Sequence, residues 1–268
     1  VLRKAAMHDA SGGARRACLS RASRSQWKDD ILLLPLLICA TSSAGKVWPS
    51  FVELGANDGM SHSNTVGLES CYGWEGLLIE GDPTNFENLQ RSKRNASKLH
   101  SAVCANTSTV EFVVGSGEFS GDTALINQYN RQHFRKLINL TRTARVPCDS
   151  LARMLVNWRS SLDGERPPMI ALLSLDVEGA EATVLESVDP SAFAVVLVET
   201  IVGRTLHQKD IAHNKRVAQL LENGGLTRVP HIESGEHVNH VYVRHDVLSR
   251  CPVTGNQTRV RTQKVGHA

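Results

Sequence analysis

Aromatic side chains are scarce in this chain. Trp, Tyr and Phe make up 5% of its 268 residues, low but ordinary for an α/β protein. Apolar runs of membrane length are missing as well. The longest is ILLLPLLICA at residues 31–40, with Pro35 inside it, about half of a bilayer span. Lys28, Asp29 and Asp30 stand directly before it. Acids are unusual ahead of a signal-peptide core, so a buried helix is expected there and no membrane span. The six cysteines, Cys18, Cys39, Cys71, Cys104, Cys148 and Cys251, form no C-x-x-C pair. That excludes a zinc pattern and argues against a dense disulfide framework. A Cys71–Cys104 bridge is not expected, because the two fall at opposite ends of neighbouring strand candidates. His231, His237 and His240 lack a clear fourth ligand and are expected to be exposed histidines rather than a zinc site.

A basic body is also lacking. The net charge of +3 divides into +6 on residues 1–28, −7 on 29–243 and +4 on 244–268. A nucleic-acid enzyme carries its positive charge on the folded body near the site, so no nucleic-acid partner is expected. The basic ends are rich in Ser, Arg and Gly or are polar, and are expected to be poorly ordered. This divides the chain into a basic arm (1–23), a folded domain (24–247) and a polar basic tail (248–268). The chain begins at Val1, which leaves an upstream targeting signal open and the location between cytoplasm and secretory pathway. Four Asn-x-Ser/Thr sequons begin at Asn95, Asn106, Asn139 and Asn256. About two would arise by chance, so they weakly favour a secretory compartment.

What is present is an alternation of strand-length apolar runs with helical segments. SFVELGA (50–56), EGLLIEG (75–81), LHSAVCA (99–105), MIALLSLDV (169–177) and AVVLVET (194–200) are short, rich in Val, Leu and Ile, and not alternating. Strands covered on both faces look like this. Asp82-Pro83 places an N-cap and then proline at a helix start, and residues 208–223 form a helical pattern that stops at Asn223-Gly224-Gly225. LTRVPHI (226–232) and HVNHVYVRH (237–245) read as a closing antiparallel pair. The expected fold is therefore a doubly wound, mostly parallel α/β sheet. Residues 115–148 lack clear periodicity and are the candidate substrate-side insertion.

In such sheets ligands sit outside the carboxyl ends of the strands. The first strand delivers Glu53, Gly55, Asn57, Asp58 and Gly59 there, the second Glu80 and Asp82, and the later ones Asp176, Glu178 and Glu199. The glycine turn also lacks something: Asn57 stands where a dinucleotide fingerprint has its second glycine. Glu53 and Asp58 would repel a pyrophosphate at close range and attract a ligand bearing an ammonium and a sulfonium, as S-adenosylmethionine does. Glu80, at the next strand end, can accept from both ribose hydroxyls.

Taken in order, FVELGANDG, SNTVGLE, GWEGLLIEGDP, SAVC and LLSLDVEGAEATVLE resemble the FkbM family of S-adenosylmethionine-dependent methyltransferases, over residues 25–244. SQWKDD (25–30) is similar to the element that precedes the first strand in that family. The spelling is similar to a eukaryotic, Star-like branch associated with secretory trafficking. The resemblance implies a class I methyltransferase (Rossmann-like) sheet of seven strands with the last antiparallel, and O-methylation of a hydroxyl on a sugar, glycan or other small acceptor. It implies S-adenosylmethionine as cofactor, with Glu53, Gly55, Asn57 and Gly59 at its methionine end and Glu80 at the ribose. Ser63 and Asn64 would stand beside the cofactor or cap the first helix.

Methyl transfer needs positioning and removal of a proton, and Asp176, Glu178 and Glu199 are the candidates for both. Three carboxylates could instead hold Mg²⁺, although no metal is favoured. Glu181 is expected only to favour the start of its helix. The alternative reading is a non-catalytic Star-like interaction protein that keeps the fold. The oligomeric state stays open.

Overall fold

A computed structural model of the chain describes residues 11–42, 46–105, 107–126, 136, 138–201, 206–233 and 239–253. The apolar runs become β1 (Val47–Leu54), β2 (Glu75–Glu80), β8 (Met169–Leu175) and β9 (Phe193–Glu199). Between and after them lie β3 (Ser97–His100), β4 (Ala102–Val103), β5 (Thr109–Val113), β6 (Gly121–Asp122), β7 (Thr143–Asp149), β10 (Leu226–Arg228) and β11 (Asn239–Arg244). The described α-helices are α1 (Ser11–Ala22), α2 (Asp29–Ser42), α3 (Val66–Tyr72), α4 (Pro83–Arg91), α5 (Leu151–Ser160), α6 (Glu181–Glu186), α7 (Gln208–Asn223) and α8 (His245–Arg250).

Seven strands form one sheet in the order β10-β11-β9-β8-β1-β2-β3. β3, β2, β1, β8 and β9 pair parallel to one another, whereas β11 runs antiparallel to both β9 and β10. This is the mostly parallel class I sheet that the resemblance implies. Pleat alternation sends neighbouring residues to opposite faces. Phe51, Leu172 and Val195 pack with Leu33, Leu37, Leu68 and Leu89 on one face. Val52, Leu173 and Val196 pack with Leu155, Trp158, Leu185 and Leu221 on the other. Each fully buried Leu contributes about 2 kcal/mol, which is why these strands are apolar at nearly every position.

The run at 31–40 becomes the buried helix α2, which keeps Pro35 in its interior. No helix among the described residues is long and apolar enough to cross a membrane. Asp82 caps α4 through Thr84 N–H, with Pro83 at the first helical position, and α7 ends at Gly224.

Several expectations are corrected. The arm is not unordered over its length: Ser11–Ala22 is a helix, Leu19 is buried, and Cys18 is bonded to Cys71 of α3. The cysteines do form a framework, because Cys39 bonds Cys251 and Cys104 bonds Cys148. Cys71 and Cys104 thus have other partners, and all six cysteines are paired. The tail is also folded in part. His245–Arg250 forms α8, and Cys251 is buried under α2, while residues 254–268 lie outside the described residues.

The strand candidate at 99–105 is split at Ser101 between the main sheet and a second, four-stranded sheet of order β4-β7-β5-β6. That second sheet takes in part of the segment 115–148, through β6 and β7, whereas residues 127–135 lie outside the described residues. His237 and the side chain of His231 do so as well.

Candidate functional site

Parallel pairing in register brings the ends of β1, β2, β8 and β9 to one edge of the sheet. Leu54 faces Ile79 on one side and Leu175 on the other, and Leu175 faces Val198. The residues that follow open a cleft of about 480 Å³. Its lining includes Glu53, Gly55, Asn57, Asn64, Glu80, Asp176, Glu178 and Glu199, the majority of the candidate residues. Among the described residues no lysine or arginine lines it. A smaller hollow of about 50 Å³ continues beyond Glu80 between Ile79, Ala102, Val103, Phe112 and Val184, with Ser101, Ser120 and Asp122 also on its wall.

The floor is set by a glycine. Gly55 has φ +75°, and a Cβ there would lie 1.8 Å from the carbonyl oxygen of Asp176. The backbone of Asp176 is in turn bonded to β1, its N–H donating to Leu54 O at 3.3 Å. Gly55→Ala is therefore expected to cost about 3 kcal/mol through strain and overpacking. An unchanged thermal midpoint would contradict this close approach.

Asn57, in the place of a fingerprint glycine, adopts φ 49°, which Asn tolerates better than most residues. Its N–H donates to Glu80 Oε2 at 2.7 Å, and Asp82 N–H donates to Glu80 Oε1 at 2.7 Å. Burial pushes the Glu80 carboxyl up to about 7 against the pull of those two N–H groups.

Glu53 is 5% exposed and spends much of its carboxylate on its own surroundings. Oε2 accepts from the hydroxyls of Ser63 (2.8 Å) and Thr65 (2.6 Å), and Oε1 accepts from Asn64 N–H (2.9 Å). Arg94, fully enclosed, stands 3.8 Å from it and bonds Glu69 at 2.7 Å. Glu53 thereby shapes the segment 63–65, while Asn64 Nδ2 reaches across to Ser174 Oγ at 3.1 Å.

Three candidates do not line the cleft. Asp58 Oδ1 accepts from the N–H groups of Met60 and Ser61, which closes a local turn. Gly59 packs against Leu89, where a Cβ would come within 2.5 Å of Cδ1. Asp82 is buried and, besides capping α4, accepts from Gly115 N–H (2.6 Å) and Ser120 Oγ (2.7 Å). The charge expected of Asp58 and Asp82 at a cofactor is thus committed to turn, cap and loop anchoring.

Across the cleft, carboxylate oxygens of Asp176, Glu178 and Glu199 lie within 4.8 Å of one another. Asp176 opens to the cleft, yet protein walls it on its other sides. Its exposed face governs what a ligand can touch, and the walls govern its proton affinity. Desolvation raises its carboxyl to about 6, a hydrogen bond from Glu199 lowers it, and the charges of Glu181, Glu118 and Glu53 raise it. Glu199 is raised well above the usual range by burial, then by the charges of Asp176 and Glu178. Burial and mutual repulsion thus raise both carboxyls of the pair, Glu199 the more strongly, and favour a proton held between them. The same spacing suits the oxygen ligands of a divalent cation.

Glu178 is held in the left-handed region at φ 56°. Glu181 turns away from the cleft, with Oε1 accepting from Val177 and Gly179 N–H and Oε2 meeting His213 Nε2 at 2.7 Å.

Sequence reasoning missed parts of the rim as site residues. Gln26 and Trp27 reach the cleft because Ser25 pairs with His62 in an isolated bridge. His62 also meets Glu118 at 3.0 Å, beside Phe119. The SQ…D element was the available signal for the first two; nothing local marks the others.

Comparison with known proteins adds a family. The model of the methyltransferase FkbM domain matches residues 53–225. No curated protein matches the chain. Among solved structures, the FkbM methyltransferase of Methylobacillus flagellatus KT is similar at 12% identity and TM-score 0.35, covering 86% of this chain and 58% of that one. OxaC, solved with SAH and oxaline, is similar at 11% identity and TM-score 0.37, covering 81% and 47%. The precorrin-6y C5,15-methyltransferase of Geobacter metallireducens GS-15 is similar at 8% identity and TM-score 0.32, covering 78% and 84%. With its family model matched over more than half its length, the chain belongs to the FkbM methyltransferase family.

Proposed function

We propose that the chain binds S-adenosylmethionine in this cleft and transfers its methyl group to a hydroxyl of a sugar, glycan or other small acceptor. The observation that carries the reading is the placement of Glu80 and the Asp176–Glu199 pair on opposite sides of one cleft floored by Gly55. The fit is chemical. The mostly apolar hollow beyond Glu80 suits the face of a flat adenine, Glu80 suits a ribose diol, and the absence of lysine and arginine from the described lining suits a ligand with two positive centres. When bound, S-adenosylmethionine supplies an electrophilic methyl group on a cationic sulfur.

The protein's own part is to hold and deprotonate. Asp176, ionised and open to the cleft, accepts the proton of an acceptor hydroxyl, and Glu199 steadies that carboxylate by donating to it. Glu178 orients the acceptor from the adjoining turn. No observation on the described residues favours an interaction protein without catalysis.

Titration calorimetry with S-adenosylmethionine and with its demethylated product tests the reading. Heat of binding from both is expected; silence at millimolar ligand would sink it.

A pH dependence follows from Glu80. Its folded-state value of about 7 lies above the ordinary 4.5, so the folded protein holds the extra proton between those values. Stability from that proton is complete below the lower value and is lost as pH rises through about 7. Cofactor affinity runs the other way, because only the carboxylate accepts from both ribose hydroxyls. Affinity is expected to rise about tenfold from pH 6 to pH 8, following the ionised fraction. Glu80→Gln is expected to flatten that slope, and an equal slope in the variant would refute the assignment.

A further inference from the structure

Two independent features outside the cleft converge on one modification. The first is the state of the cysteines. All six are paired, in bridges that join α1 to α3, α2 to the segment after α8, and the residue after β4 to β7. Bridges of this kind form and persist in oxidising compartments and are rare where thiols are kept reduced.

The second is the placement of a sequon. Asn106 and Asn256 lie outside the described residues. Asn95 is exposed, but the third residue of its triplet, Ser97, belongs to β3 and accepts from Trp158 Nε1 at 3.2 Å. The triplet Asn139-Leu140-Thr141 differs. All three residues are exposed, on the surface loop that leads into β7. Thr141 donates to Asn139 Oδ1 through both its hydroxyl (2.7 Å) and its N–H (3.1 Å). Among the described residues Asn139 Nδ2 makes no hydrogen bond, so substitution at that nitrogen breaks none of their hydrogen bonds. Bulk attached there extends into solvent, as a glycan requires.

We propose that Asn139 is an N-glycosylation site and that the chain matures in an oxidising compartment of the secretory pathway. In the modification, Asn139 Nδ2 attacks the anomeric carbon of a lipid-pyrophosphate-linked oligosaccharide. A C–N bond forms, the bond from that carbon to the pyrophosphate oxygen breaks, the lipid pyrophosphate leaves, and the amide nitrogen gives up one proton. The proposal does not depend on the catalytic reading, since it uses none of the cleft residues.

The test is peptide mapping, without reduction, of the protein isolated from the cells that make it. The sample is treated with peptide N-glycosidase in heavy-oxygen water. Conversion of Asn139 to labelled Asp is expected, together with the three cysteine pairs. An unmodified Asn139, or free thiols at the six cysteines, overturns the proposal.

A second arm uses the chain made through a eukaryotic secretory route with Thr141→Ala. The glycan on Asn139 is expected to disappear while the three bridges remain, which shows that the variant still folds. A glycan persisting on Asn139 in that variant overturns the assignment.

Discussion

Replacing Cys39 and Cys251 together by serine is expected to remove about 5 kcal/mol of folding stability, the largest loss among the three bridges. The bridge spans a sequence separation of 212, so it restricts the unfolded chain more than the other two, which span 53 and 44. Loop entropy gives each of those about 4 kcal/mol. It also anchors α2, whose leucines build one face of the core, to the end of the described chain. Chemical unfolding without reductant measures the effect. A loss below about 1 kcal/mol would mean that α2 and α8 hold their places without the covalent tie.

The second large effect is expected at the cofactor. Glu80→Ala should weaken binding of S-adenosylmethionine about 100-fold or more, since two charge-assisted hydrogen bonds to ribose are lost at once. Glu80 also holds Asn57 and Asp82 through their N–H groups, so the variant's thermal midpoint must be read beside its affinity. Asp176→Asn provides the contrast. It leaves the ribose end untouched, and its affinity should stay within about threefold of the parent while methyl transfer falls about 100-fold or more. Calorimetry separates the two variants. Equal weakening by both would place the cofactor elsewhere in the cleft.

Much of the sheet could be read from residues alone, for a physical reason. Strands covered on both faces must be apolar at successive positions, and Val52, Leu78, Leu173 and Val196 advertise that burial directly. The cap at Asp82-Pro83 and the stop at Gly224-Gly225 are likewise local chemistry, legible without tertiary knowledge. What escaped was whatever depends on a distant partner. The helix Ser11–Ala22 holds two glycines and three arginines and looks like a solvated arm until Leu19 and Cys18 find α3. The cysteine pairs carry no spacing signal, because folding and not sequence proximity brings them together.

The site shows the same division. Glu80, Asp176 and Glu199 sit at strand ends, where topology alone predicts them to face a ligand. Asp58 and Asp82 have the right chemistry at nearly the right place, but each finds backbone N–H groups within a few residues and is used there.

The contact of Gly55 with the backbone of Asp176 separates two kinds of change that descendants of this chain can undergo. On the proposed reading, the gap between methyl donor and proton acceptor would be gauged by hydrogen-bonded strand ends, where even a methyl group is too large. The jaws around that gap, Trp27, His62, Glu118 and Phe119, come from separate segments outside the gauge. If the proposed reading holds, a few exchanges in the jaws would change the acceptor while the working distance of the chemistry stays set by the strand ends.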